Sequence, residues 1–151
     1  MNVWVDADSC PATIKEILFR AAERKKIKLT CIANQYMRIP VSAHISFLKV
    51  ASGLDVADNE IVKRLNPGDL VITNDIPLAA EVVRQGGFAL NVRGELFSAE
   101  NVGDRLSMRD FMDSLRDSGQ DTGGPKPMSS KDRAIFANQL DTFLTRHTKD
   151  A

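Results

Sequence analysis

Short apolar runs rich in β-branched residues alternate with amphipathic helical patterns throughout residues 1–95 of this chain. The runs predict five strands, which are expected at Asn2–Asp6, Lys28–Ala33, Ile45–Ala51, Asp69–Thr73 and Phe88–Val92. Helical spacing and turn residues predict a helix opened by Pro11 and two more over Val56–Leu65 and Ile76–Gln85. This alternation is typical of a three-layer α/β/α fold with a mainly parallel five-stranded sheet and right-handed crossovers.

The chain after residue 95 has a different character, because its helical patterns are interrupted by a polar stretch. A helix is predicted over 108–116, a Gly- and Pro-rich linker over 117–128, and a C-terminal helix over 129–147 that Ser129 and Asp132 would open as a capping box. At 151 residues we expect a single domain, 1–151, with its core in 1–116. The apolar stripe of the last helix is expected to pack back on that core, with a homo-oligomer contact as the alternative.

Composition limits the classes of protein that need to be considered. Lys plus Arg equals Asp plus Glu, at 20 each, so binding to nucleic acid would need a local basic patch rather than an overall positive field. The two cysteines have neither CxxC nor zinc-finger spacing, which indicates reduced thiols in a reducing compartment. With no signal-peptide pattern and no apolar stretch of membrane-spanning length, we expect a cytoplasmic protein without membrane association.

Aspartates follow three of the predicted strands. Asp6 and Asp8 come after the first strand, Asp55 and Asp58 after the third, and Asp75 after the fourth. The carboxyl ends of parallel strands meet at one edge of a sheet, where open α/β folds bind their ligands. Like charges about 4 Å apart repel by roughly 4 kcal/mol at an effective dielectric near 20, so these carboxylates are predicted to surround a divalent cation. Oxygen ligands alone favour Mg²⁺ or Mn²⁺.

Each aspartate also has a simpler structural interpretation. Asp8 could cap the first helix, and Asp75 could cap the helix after the fourth strand while still facing the sheet edge. Asp55 and Asp58 lie three residues apart at a helix start, where acids commonly complement the helix dipole. Asp6 is the strongest candidate for function, since one helix cap requires only one of the two N-terminal carboxylates.

Polar and basic residues near the same edge are candidates for binding a phosphate backbone. Arg38 follows the second strand, Arg93 follows the fifth, and Asn74 lies in the turn after the fourth, so all three are predicted to contact substrate. The basic run that ends the first helix lies toward the opposite edge and is interpreted as a solvated face. Cys10 is not expected to act as a nucleophile, because the neighbouring carboxylates oppose ionisation of its thiol.

Four ordered motifs resemble those of a known family of uncharacterised bacterial proteins, the YaiI/YqxD family. The motifs are Asp6–Pro11, Gly53–Asp58, Gly68–Ala79 and Arg93-Gly94, with further similarity at Gly123–Pro125 and Asp132-Arg133. The family is grouped with PIN-like domains, metal-dependent ribonucleases whose α/β/α sheet carries acidic residues at the same edge. The resemblance implies that Asp6, Asp75 and either Asp55 or Asp58 are metal ligands, although no second acid stands beside Asp75.

The resulting hypothesis is a metal-dependent phosphodiester hydrolase with catalytic aspartates. Asp6 and Asp75 would bind Mg²⁺ or Mn²⁺ directly, and Asp8, Asp55 and Asp58 would complete a second site or orient water. The resemblance implies RNA rather than DNA as the nucleic-acid partner. One alternative is a phosphatase of the haloacid dehalogenase type, since Asp6-x-Asp8 resembles its nucleophile and acid, but the expected downstream lysine and Gly-Asp-x-x-x-Asp turn are missing. Another is a nucleic-acid-binding or regulatory module without turnover.

Overall fold

The computed structural model describes residues 1–53, 56–103 and 128–147. Within these residues six strands form one sheet: β1 (Asn2–Asp6), β2 (Lys28–Ala33), β3 (Ile45–Lys49), β4 (Leu70–Ile72), β5 (Phe88–Leu90) and β6 (Leu96–Phe97). The helices are α1 (Ala12–Lys25), α2 (Val56–Arg64), α3 (Ile76–Arg84), a helical segment α4 at 99–103, and α5 (Ser130–His147). The helix predicted over 108–116, most of the predicted linker and Asp55 lie outside the described residues.

The strands lie in the order β3-β2-β1-β4-β5-β6. The first five are parallel, and β6 runs antiparallel to β5. Strand β1 pairs with β2 on one side and β4 on the other, so the order of the chain reverses at β1. This reversal opens a crevice between the carboxyl ends of β1 and β4, the usual position of a binding site in such sheets.

Alternating side chains along the strands divide the core into two layers. Val3 and Val5 of β1 belong to an apolar cluster with α1 and α5, whereas Trp4 points into a second cluster with α2 and α3. Helices therefore cover both faces of the sheet, and the predicted three-layer α/β/α fold is confirmed. None of the helices described is both long and apolar enough to cross a membrane.

The C-terminal helix α5 packs on the same face of the sheet as α1, as predicted. Its buried side chains complete the first apolar cluster, and they are Phe136, Leu140, Phe143 and Leu144. The capping box is also confirmed, because the backbone N of Ser129 donates to Asp132 Oδ2 and the backbone N of Asp132 donates to Ser129 Oγ, each at 3.1 Å. Arg24 at the end of α1 pairs with Asp141 of α5 at 3.2 Å.

A buried aspartate joins segments at the amino ends of the strands, which form the edge of the sheet opposite the crevice. Asp69, only 4% exposed, directly precedes β4. Its Oδ1 accepts from the backbone N of Asn2 at 3.0 Å, and its Oδ2 accepts from Trp4 Nε1 at 3.1 Å and from the backbone N of Asn66 at 3.0 Å. The predicted strand Asp69–Thr73 was one residue too long at each end, since β4 spans Leu70–Ile72 and the Asp69 carboxylate ties β1 to the turn before β4.

Candidate functional site

Strand β1 ends in Asp6 at the crevice, and this residue is 7% exposed. Both of its hydrogen bonds reach the same oxygen: Ser9 Oγ and Thr73 Oγ1 each donate to Asp6 Oδ2 at 3.0 Å. Throughout the described part of the chain, every fully buried side-chain oxygen or nitrogen has a hydrogen-bond partner. Asp6 Oδ1 has none, so this oxygen is open to solvent and available to an external ligand.

Thr73 connects Asp6 to Asp75 across the crevice. The threonine follows β4 and is 1% exposed. Its hydroxyl donates to Asp6 and accepts a hydrogen bond from the backbone N of Asp75 at 2.9 Å. Thr73 was not predicted to be part of the site, although its place at the end of a buried strand next to Asn74-Asp75 was a usable signal.

Asp75 has the capping role that its position suggested. It is the N-cap of α3, where its Oδ1 accepts from the backbone N of Leu78 at 2.9 Å. The residue is half-buried, and its second carboxylate oxygen has no hydrogen bond from the described residues. Capping therefore uses one oxygen of Asp75 and leaves the other without a hydrogen bond from the described residues.

Asp8 does not cap the first helix, and that interpretation was wrong. A short 3-10 turn, Ala7–Ser9, separates β1 from α1, and Pro11 is the N-cap residue of α1 without any side-chain capping bond. The Ser9 hydroxyl turns back to Asp6 instead. Asp8 is exposed, and its Oδ2 accepts from the backbone N of Asn34 at 2.9 Å, which joins the crevice to the loop after β2.

The electrostatics of Asp6 show which carboxylates share the crevice. Burial raises the pKa of Asp6 above its ordinary value of 3.8, while the hydrogen bonds from Thr73 and Ser9 lower it. The negative charges of Asp75 and Asp8 raise it further. Asp75 and Asp8 therefore each lie near enough to Asp6 to repel its carboxylate, and a cation at the open oxygen of Asp6 would relieve that repulsion.

The remaining predicted acids are less closely tied to this group. Asp58 lies half-buried in the first turn of α2, and Asp55 lies outside the described residues. Among residues 1–53, 56–103 and 128–147, no three acidic, histidine or cysteine side chains form a group that could hold a metal ion by themselves. The assignment of Asp55 and Asp58 to the site therefore stays a prediction.

The three predicted substrate-binding residues occupy different surroundings. Arg38 is exposed in the loop after β2. Asn74 spans the crevice edge, since its Oδ1 accepts from the backbone N of Val92 at 3.2 Å and its Nδ2 donates to the backbone O of Ser9 at 3.5 Å. Arg93 is engaged by the C-terminal helix through Nη1 and Asp132 Oδ2, 3.0 Å apart. Their contact with substrate stays a prediction.

Both cysteines are buried near α1, and neither has the surroundings of a reactive thiol. Burial raises the pKa of Cys10 to about 12 and that of Cys31 to about 11, despite the positive charge of Lys15. The thiols are therefore neutral at physiological pH, in line with the expectation that Cys10 is not a nucleophile.

Comparison with known proteins places the chain in a family. Residues 4–146 match the family model described as "Uncharacterized BCR, YaiI/YqxD family". The chain belongs to the YaiI/YqxD family. It is 65% identical to the UPF0178 protein of Syntrophotalea carbinolica over 147 residues, covering 97% of this chain and 99% of the relative. It is 62% identical to the UPF0178 protein of Hydrogenovibrio crunogenus over 149 residues, covering 99% of each. No solved structure matches the chain.

Proposed function

We propose that this YaiI/YqxD protein is a metal-dependent phosphodiester hydrolase that uses Mg²⁺ or Mn²⁺ at the crevice between β1 and β4. The observation that supports the proposal is the state of Asp6. Two hydroxyl donors hold Oδ2 of this buried carboxylate, which leaves Oδ1 open beside the negative charges of Asp75 and Asp8. A carboxylate that is fixed on one oxygen and open on the other is prepared to bind a cation.

The donor atoms are of the kind that a hard divalent cation binds, although the carboxylates of the described residues do not form a metal-holding group by themselves. Asp6, Asp8 and Asp75 each have one oxygen held by a protein donor, and their other oxygens accept no hydrogen bond from the described residues. Carboxylate oxygens are the ligands that Mg²⁺ and Mn²⁺ prefer, whereas zinc sites usually contain histidine or cysteine. Asp6 and Asp75 would hold the ion, and Asp8, Asp55 and Asp58 would complete the site or orient water.

The chain's own residues would position the reacting groups. When bound, a divalent ion of this kind polarises a phosphoryl oxygen and lowers the pKa of water. Thr73 would keep Asp6 and Asp75 in a fixed relation, because its hydroxyl contacts both. Arg38 and Arg93 would neutralise the phosphates next to the scissile bond. The likeness of the motifs to PIN-like ribonucleases favours RNA as the polymer.

A cleavage assay tests this function directly. The purified chain is incubated with a mixed pool of RNA and DNA and with a small phosphomonoester, in Mg²⁺, in Mn²⁺ and in chelator. We expect polymer cleavage only with metal, and a metal-induced rise in melting temperature. Asp6→Asn should abolish both effects, whereas Asp141→Asn, which removes an exposed acid on α5, should retain both.

The same assay separates the alternatives. Release of phosphate from the monoester without polymer cleavage would favour a phosphatase of the haloacid dehalogenase type. Metal-independent binding without turnover would favour a non-catalytic nucleic-acid-binding or regulatory module. Absence of any thermal shift with either ion, together with absence of cleavage, would reject the proposed function.

A further inference from the structure

The loop of residues 34–44, between β2 and β3, is fastened to the protein at both ends. At its start, the backbone N of Asn34 donates to Asp8, so the loop leaves directly from the crevice. Near its end, the hydroxyl of Ser42 donates to Glu23 of α1. The loop therefore lies along α1 as a defined surface that begins at the candidate site.

This loop displays an aromatic ring to solvent. Tyr36 is 79% exposed, yet its ring is positioned by an edge-on contact with Phe47 of β3, with ring centroids 5.8 Å apart and an interplanar angle of 76°. A large ring that is held in place without being buried costs little entropy when a flat partner stacks on it. Nucleic-acid bases are such partners, because every base has a π-face.

A groove between the loop and α1 is lined by the loop residues that follow Tyr36, from Met37 to Pro40. It has a volume of about 480 Å³, with an apolar floor that includes Phe19, Met37 and Ile39. Lys15 and Arg38 line it together with a single acid, Glu16. Neither Lys15 nor Arg38 forms an ion pair with any residue that the structure describes, so both positive charges are available to an anionic ligand.

We propose that Tyr36, Arg38 and Lys15 form a binding surface for single-stranded nucleic acid, in which Tyr36 stacks on an unpaired base and the two cations contact neighbouring phosphates. The excess of positive charge in the groove fits a phosphate backbone. A single strand is required because the faces of bases in a duplex are already covered by their neighbours. The inference rests on the proposed function and deepens it, since it names a single strand as the form of polymer that reaches the crevice.

Fluorescence anisotropy with the full chain in chelator tests the proposal without cleavage. The probes are a labelled single-stranded RNA and the same strand in a duplex. Tyr36→Ala should weaken single-strand binding about tenfold or more and leave duplex binding unchanged, whereas Tyr36→Phe, which keeps the ring, should bind within about twofold of the wild type. Val41→Ala, at another exposed apolar residue of the loop, is the matched control.

The salt dependence of binding tests the role of the cations. Arg38→Ala should weaken binding to strands of different sequence alike and reduce the salt slope by about one phosphate contact. Arg146→Ala, at an exposed arginine near the end of α5, should leave the slope unchanged. An unchanged slope for Arg38→Ala would remove this residue from the surface.

Several outcomes would overturn the proposal. These are wild-type affinity in Tyr36→Ala, equal losses on single strand and duplex, or a loss in Tyr36→Phe as large as that in Tyr36→Ala. Self-association of the wild type that Tyr36→Ala abolishes, with no binding of nucleic acid, would instead assign the surface to a second copy of the chain. Asp6→Asn separates the two proposals, because it should lose cleavage and keep single-strand binding.

Discussion

The Thr73 hydroxyl lies 3.0 Å from Asp6 Oδ2 and must be the donor in the hydrogen bond between them. The reason is a second contact: the backbone N of Asp75 donates to the same hydroxyl at 2.9 Å, so Thr73 is already an acceptor on that side. One buried hydroxyl thus fixes the acid that ends β1 relative to the acid that begins α3. The Asp6 carboxylate and the Asp75 backbone therefore cannot move apart without breaking a hydrogen bond of Thr73.

Replacing Thr73 with valine should show how much this hydroxyl contributes. Thr73→Val keeps the shape but leaves the backbone N of Asp75 without its acceptor, and we expect a loss of about 1–3 kcal/mol in the free energy of unfolding. The pKa of Asp6 should rise further, since a hydrogen bond that lowers it is lost. Urea denaturation measures the first effect. Thr73→Ser retains the hydroxyl and is the control, so equal destabilisation of both variants would contradict the argument.

Asp75 offers a test in which the sign of the effect matters. Asparagine caps helices about as well as aspartate, so Asp75→Asn should keep α3 intact while removing a charge that repels Asp6. In chelator we expect this variant to be more stable than the wild type by on the order of 1 kcal/mol, and to lose the metal-induced stabilisation.

The matching variant for Asp75 is Asp75→Ala, which loses the cap as well as the charge. It should be less stable than Asp75→Asn by about 1 kcal/mol, as measured by thermal and urea denaturation. If Asp75→Asn is destabilised in chelator and still gains stability from metal, Asp75 does not belong to the metal site.

The raised pKa of Asp6 predicts a pH dependence of stability. Burial makes the folded protein retain the proton of the Asp6 carboxyl to a higher pH than the unfolded chain does. The resulting contribution to the free energy of unfolding is fully present below pH 3.8 and is lost as pH rises through the raised pKa of Asp6. Asp6→Asn cannot ionise, so its stability relative to the wild type should increase across that window in chelator. Mg²⁺ or Mn²⁺ should reverse the trend, since the ion binds the carboxylate form. A difference that does not vary with pH would contradict the assignment.

The role of Arg93 is tested with two variants, because Arg93 forms an ion pair with Asp132 of α5. Arg93→Ala and Asp132→Ala both break this ion pair and should lower the melting temperature in the same direction. If Arg93 also contacts phosphate, only Arg93→Ala should weaken nucleic-acid binding, and Arg38→Ala combined with it should flatten the salt dependence for all sequences alike. If Arg93→Ala and Asp132→Ala bind nucleic acid equally well, the role of Arg93 is only structural.

Local patterns in the sequence predicted the fold because each strand and helix carries its own signal. The five parallel strands are apolar runs, although β3, β4 and β5 end one or two residues earlier than predicted, and the capping box of Ser129 and Asp132 is a local motif. Strand β6 was missed because two residues, Leu96–Phe97, are too short to show a period. It forms beyond a turn in which the Asn91 side chain accepts from the backbone N of Arg93 and of Glu95, each at 2.9 Å.

The site was harder to predict than the fold, because its contacts join residues far apart in sequence. Asp6 and Asp75 were recognisable from their places at strand ends. Their connection through Thr73 spans 67 residues, and no local spacing reveals which hydroxyl will reach which carboxylate. Asp69 shows the same difficulty, since its carboxylate is as buried as that of Asp6 but is saturated by three donors at the opposite edge.

The four apolar side chains that α5 places in the core have a consequence for how the chain is made. Translation proceeds from the N-terminus, so β1 to β5 leave the ribosome well before Phe136 and Leu144 do. Until then the sheet face that carries Val3 and Val5 lacks part of its cover. A nascent chain halted before α5 would present that apolar face to chaperones and proteases, so the core closes only after α5 has been made.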